Sequence, residues 1–330
     1  MSDPCPATKF LILKKCTSPA KLATNSMEIA TGLVISGPSY PAWRRGVPAG
    51  QTAEGSKMAN ATQILRRGLV GGLNRVGLSR HNLATARTCC ERHVLAAVGQ
   101  ARRRYIGRIL CYHSIGQEDW GVNDVTPAMF RNQIEQALNA GFRFVPASEI
   151  VRTGGGEKDL AITFDDGLKT VLTQAAPILK DYNIPWTFFP VSGWSEECQG
   201  HDDDTFLSWR EIETLMKEGA EMGSHSATHP QFQTIGRDQI IDELAGSREL
   251  FQKRLGIAPD SFAIPFGQSG NWTKTAHDIA LEAGYSTIFA QAEETRPTDT
   301  VARTFVTKFD HEFIFRAILK GKFDRWEEWF

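Results

Sequence analysis

From Tyr105 onward, short apolar runs alternate with amphipathic stretches at helical spacing. Residues 106–112 read as a first strand, ending at His113-Ser114. Thr126 caps a helix with Pro127 at its first position, running to Ala140 and closed by Gly141. Residues 142–145 read as a second strand. A short helix around 148–152 leads into the Gly154-Gly155-Gly156 loop. The run Leu160-Ala161-Ile162-Thr163-Phe164 reads as a buried strand closed by Asp165-Asp166-Gly167. A helix over 168–182 and a strand over 185–191 follow, then a long loop over 192–207. Ser208 and Glu211 have capping-box spacing. Residues 220–224 form a strand and 237–255 one long helix ended by Gly256. A strand at 261–265, a helix at 273–283, a strand at 285–290 and a last helix at 311–320 complete the pattern. Such alternation across 105–322 predicts an α/β fold with a parallel sheet, a distorted (β/α) barrel of about seven strands. An open doubly wound sheet is the alternative, but no Gly-x-Gly-x-x-Gly follows the first strand.

The first hundred residues lack this order. Residues 1–57 are rich in Pro, Gly, Ser and Ala, with Pro38, Pro41 and Pro48 as breakers, and read as a disordered leader; Met58 is an alternative start. Residues 58–104 read as an Arg-rich helical extension. With Arg108, the stretch sets ten arginines against one acid, Glu91. It is a candidate for peripheral contact with an anionic membrane surface, though a helical arm packed on the main domain is the simpler reading. Residues 105–330 read as the barrel domain. The net charge of −1 excludes a whole-molecule field for nucleic acid, and no nucleic-acid partner is expected. The six cysteines are scattered without a Cys-x-x-Cys pair, so reduced thiols are expected, with Cys111 and Cys198 structural. The Leu11-Ile12-Leu13 core, interrupted by Lys14-Lys15, is too short for a secretory signal, and the expectation is cytoplasmic.

Asp165 and Asp166 stand where a parallel strand delivers chemistry, at its C-terminal end. Two adjacent carboxylates repel, and a divalent cation would relieve that repulsion. His225 and His229 lie four apart; one turn of helix would put both on one face. Two imidazoles and one carboxylate make three ligands with a position open for water, leaving the other carboxylate as a general base. The reaction class is metal-assisted hydrolysis.

The Thr163-Phe164-Asp165-Asp166-Gly167 strand end, the His225-Ser226-x-x-His229 pair and Ile264-Pro265-Phe266-Gly267 occur in the order seen in the polysaccharide deacetylases, the NodB-homology family. Leu110-Cys111-Tyr112-His113 and Leu207-Ser208-Trp209 are also similar to family members, and the resemblance spans about 106–320. It implies a hydrolase that removes N-acetyl groups from amino sugars of a carbohydrate substrate. It also implies Asp165 as catalytic base, and Asp166, His225 and His229 as ligands of Zn²⁺ or another divalent metal (Co²⁺, Ni²⁺, Mn²⁺). The segment at Pro265 would bind the oxyanion through the backbone N–H of Phe266.

Two departures stand out. Many members carry an Arg two residues before the motif Pro, paired with the base; here the position is Ala263. Many also end in a Leu-x-His motif that supplies the general acid, and none is found, which leaves His113 and His311 as candidates. Trp194 and Trp209 are candidate sugar platforms, with core packing the commoner role for Trp. Asp202-Asp203-Asp204 beside His201 reads as a solvated loop. Trp326, Trp329 and Phe330 could pack back or make a contact. Rival readings are a hydrolase of another carbon–nitrogen bond on the same barrel, and a carbohydrate-binding protein with impaired catalysis.

Overall fold

In a computed structural model, residues 80–198, 205–291 and 298–326 are described. The 1–57 leader, Met58, the basic stretch up to 79, the His201–Asp204 segment and the tail residues Trp329 and Phe330 lie outside the described residues. Parallel strands carry the architecture. They are β1 (Arg108–Tyr112), β2 (Asp159–Asp166), β3 (Trp186–Pro190), β4 (Glu221–Met222), β5 (Ser261–Ala263) and β6 (Thr287–Ala290). The last, β7, comes in two pieces, Val301–Ala302 and Thr304–Phe305. β1 pairs with β2, β2 with β3 and β3 with β4. The step from β4 to β5 runs through Ser224, whose N–H donates to the Ser261 carbonyl and whose carbonyl accepts from Ala263, both at 2.9 Å. β5 pairs with β6, and β6 with the first piece of β7. The second piece of β7 pairs with β1, which closes the circuit.

The distorted barrel of about seven strands is thus the fold, with two changes of membership. The expected strand at 142–145 is only Arg143–Phe144, attached at the lower end of β2 and not a stave. The stave that completes the ring, β7, has no counterpart in the sequence reading. Each of its pieces is two residues long and Arg303 interrupts them, so no apolar run or alternation marks it.

Parity explains the core. β2 is buried along its whole length, as a parallel strand covered on both faces must be. Ile109, Ala161, Phe189, Ala263 and Phe289 pack together, one from each of five staves, and fill the interior. Leu110, Tyr112, Leu160, Ile162 and Phe164 take the alternate positions and join the larger core that also holds Phe130, Ile134 and Phe315. Following the inward parity upward brings Cys111, His113, Thr163 and Asp165 to the C-terminal mouth.

The helices follow their caps. Thr126 accepts from the Met129 N–H at 3.2 Å to start α2 (Pro127–Asn139), after α1 (Arg80–Val98). Ser208 and Glu211 form the capping box of α3 (Trp209–Lys217). Thr273 caps α4 (Lys274–Ala283), and α5 (Glu312–Leu319) is last. Two expectations change. The 192–207 stretch begins with a short helix, Ser192–Glu197. The 237–255 segment is helical to Gly256, but Asp242–Gly246 widens into a π turn. Such turns recur at functional sites, and this one carries Glu243. Among the described residues, no helix is long and apolar enough to cross a membrane.

Candidate metal-dependent active site

At the mouth, Asp166, His225 and His229 offer ligand atoms within 4.8 Å of one another. Asp166 Oδ1 lies 3.5 Å from Nε2 of both imidazoles. Ligand bonds of about 2.1 Å in a tetrahedral arrangement put neighbouring donors about 3.4 Å apart, so the spacing suits one small cation. Two further observations agree. Asp166 Oδ1 is buried and has no hydrogen-bond partner, whereas Oδ2 accepts from the Trp120 indole N–H at 3.3 Å. His225 Nδ1 sits 2.8 Å from the Ala263 carbonyl, which keeps the proton on Nδ1 and turns the Nε2 lone pair toward the cluster.

The two histidines do not share a helix face. Their segment is irregular, with Ser226 at φ +70° and His229 at φ +60°. The left-handed turn brings His229 back over His225, with ring centroids 4.8 Å apart. Asp166 (φ +69°) and Phe266 (φ +63°) share this conformation. A left-handed conformation costs a non-glycine residue about 1–3 kcal/mol. Four such residues gathered at one mouth mark a site whose geometry the surrounding fold enforces.

Glu243, in the π turn, enforces part of it. Its Oε2 accepts from the Ala227 and Thr228 N–H groups at 2.9 and 2.8 Å, and Oε1 takes the Thr228 hydroxyl. The loop between the imidazoles is therefore tied down by this carboxylate, alongside the Ser192 and Gly193 N–H groups that donate to the Ser226 and Ala227 carbonyls. Glu243→Ala is expected to weaken cation binding about 10- to 100-fold, the usual cost of losing an outer-shell support. A competitive chelator titration checks this, and an unaltered affinity would rule the support out.

Asp165 lies beside the triad, with Oδ2 3.9 Å from His225 Nε2. Ala263 supplies no Arg, but Arg303 does. From the break in β7, its Nη1 donates to Oδ1 at 2.6 Å and Nη2 to Oδ2 at 2.7 Å. Its guanidinium lies over Phe189 and Phe289, at 5.4 and 5.8 Å from their centroids. The small side chain at 263 and an Arg from the neighbouring part of the barrel thus exchange places. Cys111 was expected to be merely structural, but its thiol donates to Asp165 Oδ2 at 3.4 Å.

These contacts set the protonation states. Burial alone would raise the Asp165 carboxyl; the charge of Arg303 and the nearby imidazoles outweigh it and hold the group below the usual carboxylate range. Asp166 is also held low, because His225, His113 and His229 overcome its burial. Burial, helped by neighbouring His225, pushes His229 down to about 4. His225, though buried, stays above its ordinary value in the field of Asp165 and Asp166. Burial holds His113 below its ordinary value against the pull of Asp166 and Asp165.

The other sequence candidates divide. His113 points an edge at Phe305, 5.2 Å between centroids, and a ring nitrogen lies within 4.8 Å of ligand atoms of Cys111 and Asp165. His311 is exposed at the start of α5 and shares no hydrogen bond, ion pair or ring contact with the cluster among the described residues. Trp209 is not at the mouth. It is 5% exposed, packs edge-on to Phe251 and donates its indole N–H to Glu196, as a core residue does. Trp194 does lie at the rim, 5.5 Å from the His229 ring and 4.5 Å from Phe206. Phe266 packs 4.6 Å from His229, and the Pro265 carbonyl accepts from Asn271 at 2.8 Å.

A family profile described as polysaccharide deacetylase matches residues 152–288, which hold Asp165, Asp166, His225, His229 and Pro265-Phe266. Over that stretch the chain is similar to the polysaccharide deacetylase family. Chitin deacetylase of Colletotrichum lindemuthianum is 30% identical over 109 residues, 32% of this chain and 41% of that protein. Peptidoglycan-N-acetylglucosamine deacetylase of Bacillus cereus is 25% identical over 111 residues, covering 33% of this chain and 37% of that protein. The chain thus spans about two fifths of the length of these curated relatives. Among solved structures, IcaB from Ammonifex degensii is 25% identical with a TM-score of 0.57, covering 67% of this chain and 99% of that chain. Streptococcus pyogenes deacetylase PplD superimposes with a TM-score of 0.56 at 22% identity, over 65% of this chain and 97% of that one. Cys111, His113 and Arg303 fall outside the residues the family profile matches. Strand parity would have flagged the first two; no sequence signal marks Arg303.

Proposed function

We propose that this chain is a divalent-metal hydrolase that removes N-acetyl groups from amino-sugar residues of a carbohydrate polymer or oligomer. The observation that carries the reading is the orphaned, buried Asp166 Oδ1 set at 3.5 Å from two imidazoles, with a second carboxylate beside it under Arg303. The names of the relatives, which act on chitin and on peptidoglycan N-acetylglucosamine, supply the substrate class. The catalytic unit is assigned to residues 105–330.

Asp166, His225 and His229 would hold the ion, Zn²⁺ or one of Co²⁺, Ni²⁺ and Mn²⁺. When bound, such an ion supplies Lewis acidity, polarising the amide carbonyl and acidifying water. Asp165, kept ionised by Arg303, takes a proton from the attacking water. The backbone N–H of Phe266 is assigned to the developing oxyanion; one such donor is worth about 3 kcal/mol. His113 is assigned the proton delivery to the leaving nitrogen in preference to exposed His311. Its depressed basicity means it starts neutral and must first receive the proton that Asp165 removes. Trp194 and Phe266 flank the opening and give a sugar ring an apolar face to rest on.

The test is incubation with N-acetylglucosamine oligomers, read by mass spectrometry and acetate release. Protein carrying one divalent ion per chain is expected to release acetate, to stop after chelation, and to resume when the ion is restored. Binding of the oligomers with no mass change in the metal-loaded protein would instead favour an impaired carbohydrate-binding protein. Turnover of small formamides or cyclic amides in preference to the sugars would move the substrate to another carbon–nitrogen bond.

A further inference from the structure

The inward parity that delivers Asp165 also delivers a second ligand set. Cys111, His113 and Asp165 each present a ligand atom within 4.8 Å of the others. They are a soft thiol, an imidazole and a carboxylate, from the ends of β1 and β2, and none belongs to the Asp166–His225–His229 triad. We infer that this is a second metal site, selective for a thiophilic divalent cation such as Cd²⁺ or excess Zn²⁺, and that filling it shuts the enzyme off.

Three features argue for it. The thiol and Asp165 Oδ2 are 3.4 Å apart. An ion with bonds of about 2.3 Å to sulfur and about 2.1 Å to oxygen reaches both at an angle of about 100°, close to tetrahedral. The thiol proton already lies between these two atoms, so the ion takes the place of that proton. Bond for bond, the S–H is broken, an S–metal bond forms, and one H⁺ leaves to solvent; nothing is oxidised or reduced. Secondly, His113 Nδ1 is buried without a hydrogen-bond partner, so this ring carries an unmet acceptor or donor. Thirdly, the Arg303 charge on Asp165 opposes a cation, and a thiolate offsets it where a neutral ligand would not. That repulsion makes this the weaker of the two sites, so it fills second.

The inhibitory consequence rests on the roles assigned above to Asp165 and His113, because the second ion would occupy both. The binding itself does not. The experiment takes the full chain loaded with one equivalent of Zn²⁺ and titrates Cd²⁺. A second ion is expected to bind with a thiolate-to-metal charge-transfer band and release of about one proton. Acetate release is expected to fall with the same midpoint. Cys111→Ser is expected to lose the band and the inhibition together while retaining the first ion. Cys111→Ala, and cadmium NMR of the unmutated protein showing one sulfur donor, guard against a misfolded variant. The inference is overturned if no second ion binds at millimolar Cd²⁺, or if the band or the inhibition survives unreduced in Cys111→Ser. Because band and proton release need no substrate, failure of the deacetylase reading leaves them interpretable.

Discussion

Asp165→Asn is expected to lower turnover about 100- to 10,000-fold, the usual contribution of a positioned general base, while the protein still binds one ion through Asp166, His225 and His229. Arg303→Met tests the same base from outside. Asp165 is held low because the guanidinium outweighs its burial. Without the guanidinium, burial dominates and the carboxyl rises. A base works only when ionised, so activity is lost as pH falls through its pKa. Raising that pKa therefore moves the acid limb of kcat/KM to higher pH, by about 1–3 units, the span an Arg neighbour confers on an Asp. Under acidic conditions, where the unaltered protein still works, the variant should be nearly inactive, and it should recover toward neutral pH. It also leaves a buried carboxylate unpaired, at a cost of about 3–5 kcal/mol, so thermal unfolding must be followed alongside. Arg303→Lys keeps the charge but not the two-pronged grip, and should fall between. An acid limb that does not move in Arg303→Met would separate Arg303 from the tuning of the base.

Much of this site was legible before any coordinates. Asp165-Asp166 ends a short apolar run that reads as a buried parallel strand, which puts its carboxylates at the C-terminal rim, where the structure has them. The alternation of strand and helix pointed to a parallel sheet, and its roughly seven units favoured a barrel over an open doubly wound sheet. Arg303 was not legible because its strand is two residues on each side of a break. It is held by backbone pairing to β6 and β1 and carries no hydrophobic signature of its own. The His225–His229 spacing picked out two residues that the structure does bring together, but not through the helical geometry it suggested. Spacing by four suits a helix, but Ser226 and His229 reach the same closeness by a left-handed turn that Glu243 ties down, and that conformation is invisible in residue types. Trp209 misled in the opposite sense, since an indole beside a motif reads the same whether it faces sugar or core. Cys111 was legible in the strand pattern. With residues 106–112 a strand, it shares a face with His113, but an isolated thiol carries no activating pattern in the residues around it.

Arg92→Met is expected to be the most destabilising single change in the N-terminal part of the described chain. Thr88, Arg92 and Ala96 form the buried stripe of α1, at helical spacing of four. The Arg92 side chain is wholly buried. Its guanidinium grips both carboxylate oxygens of Asp310 and donates from Nη2 to the Phe305 carbonyl at 3.1 Å. It lies 4.7 Å from the centroids of both Phe323 and Trp326. Asp310 in turn accepts from the Thr307 N–H at 2.7 Å, and its carbonyl accepts from Gln133 at 2.8 Å. Removing the cation leaves Asp310 charged in an apolar surround, which costs about 3–5 kcal/mol. For a domain of this size that is a fall in Tm of about 6–20 °C, at about 2–4 °C per kcal/mol. Asp310→Asn in the same chain removes the stranded charge while keeping the Thr307 contact, so the double variant should be more stable than Arg92→Met alone. Strict additivity of the two changes would show that the pair is not coupled. The effect should reach the site by a short route. Phe305 belongs to the stave that carries Arg303, and its ring meets His113 edge-on. A helix outside the matched family region would then be what holds the missing arginine in register, and kcat of Arg92→Met should fall even at temperatures where the variant remains folded.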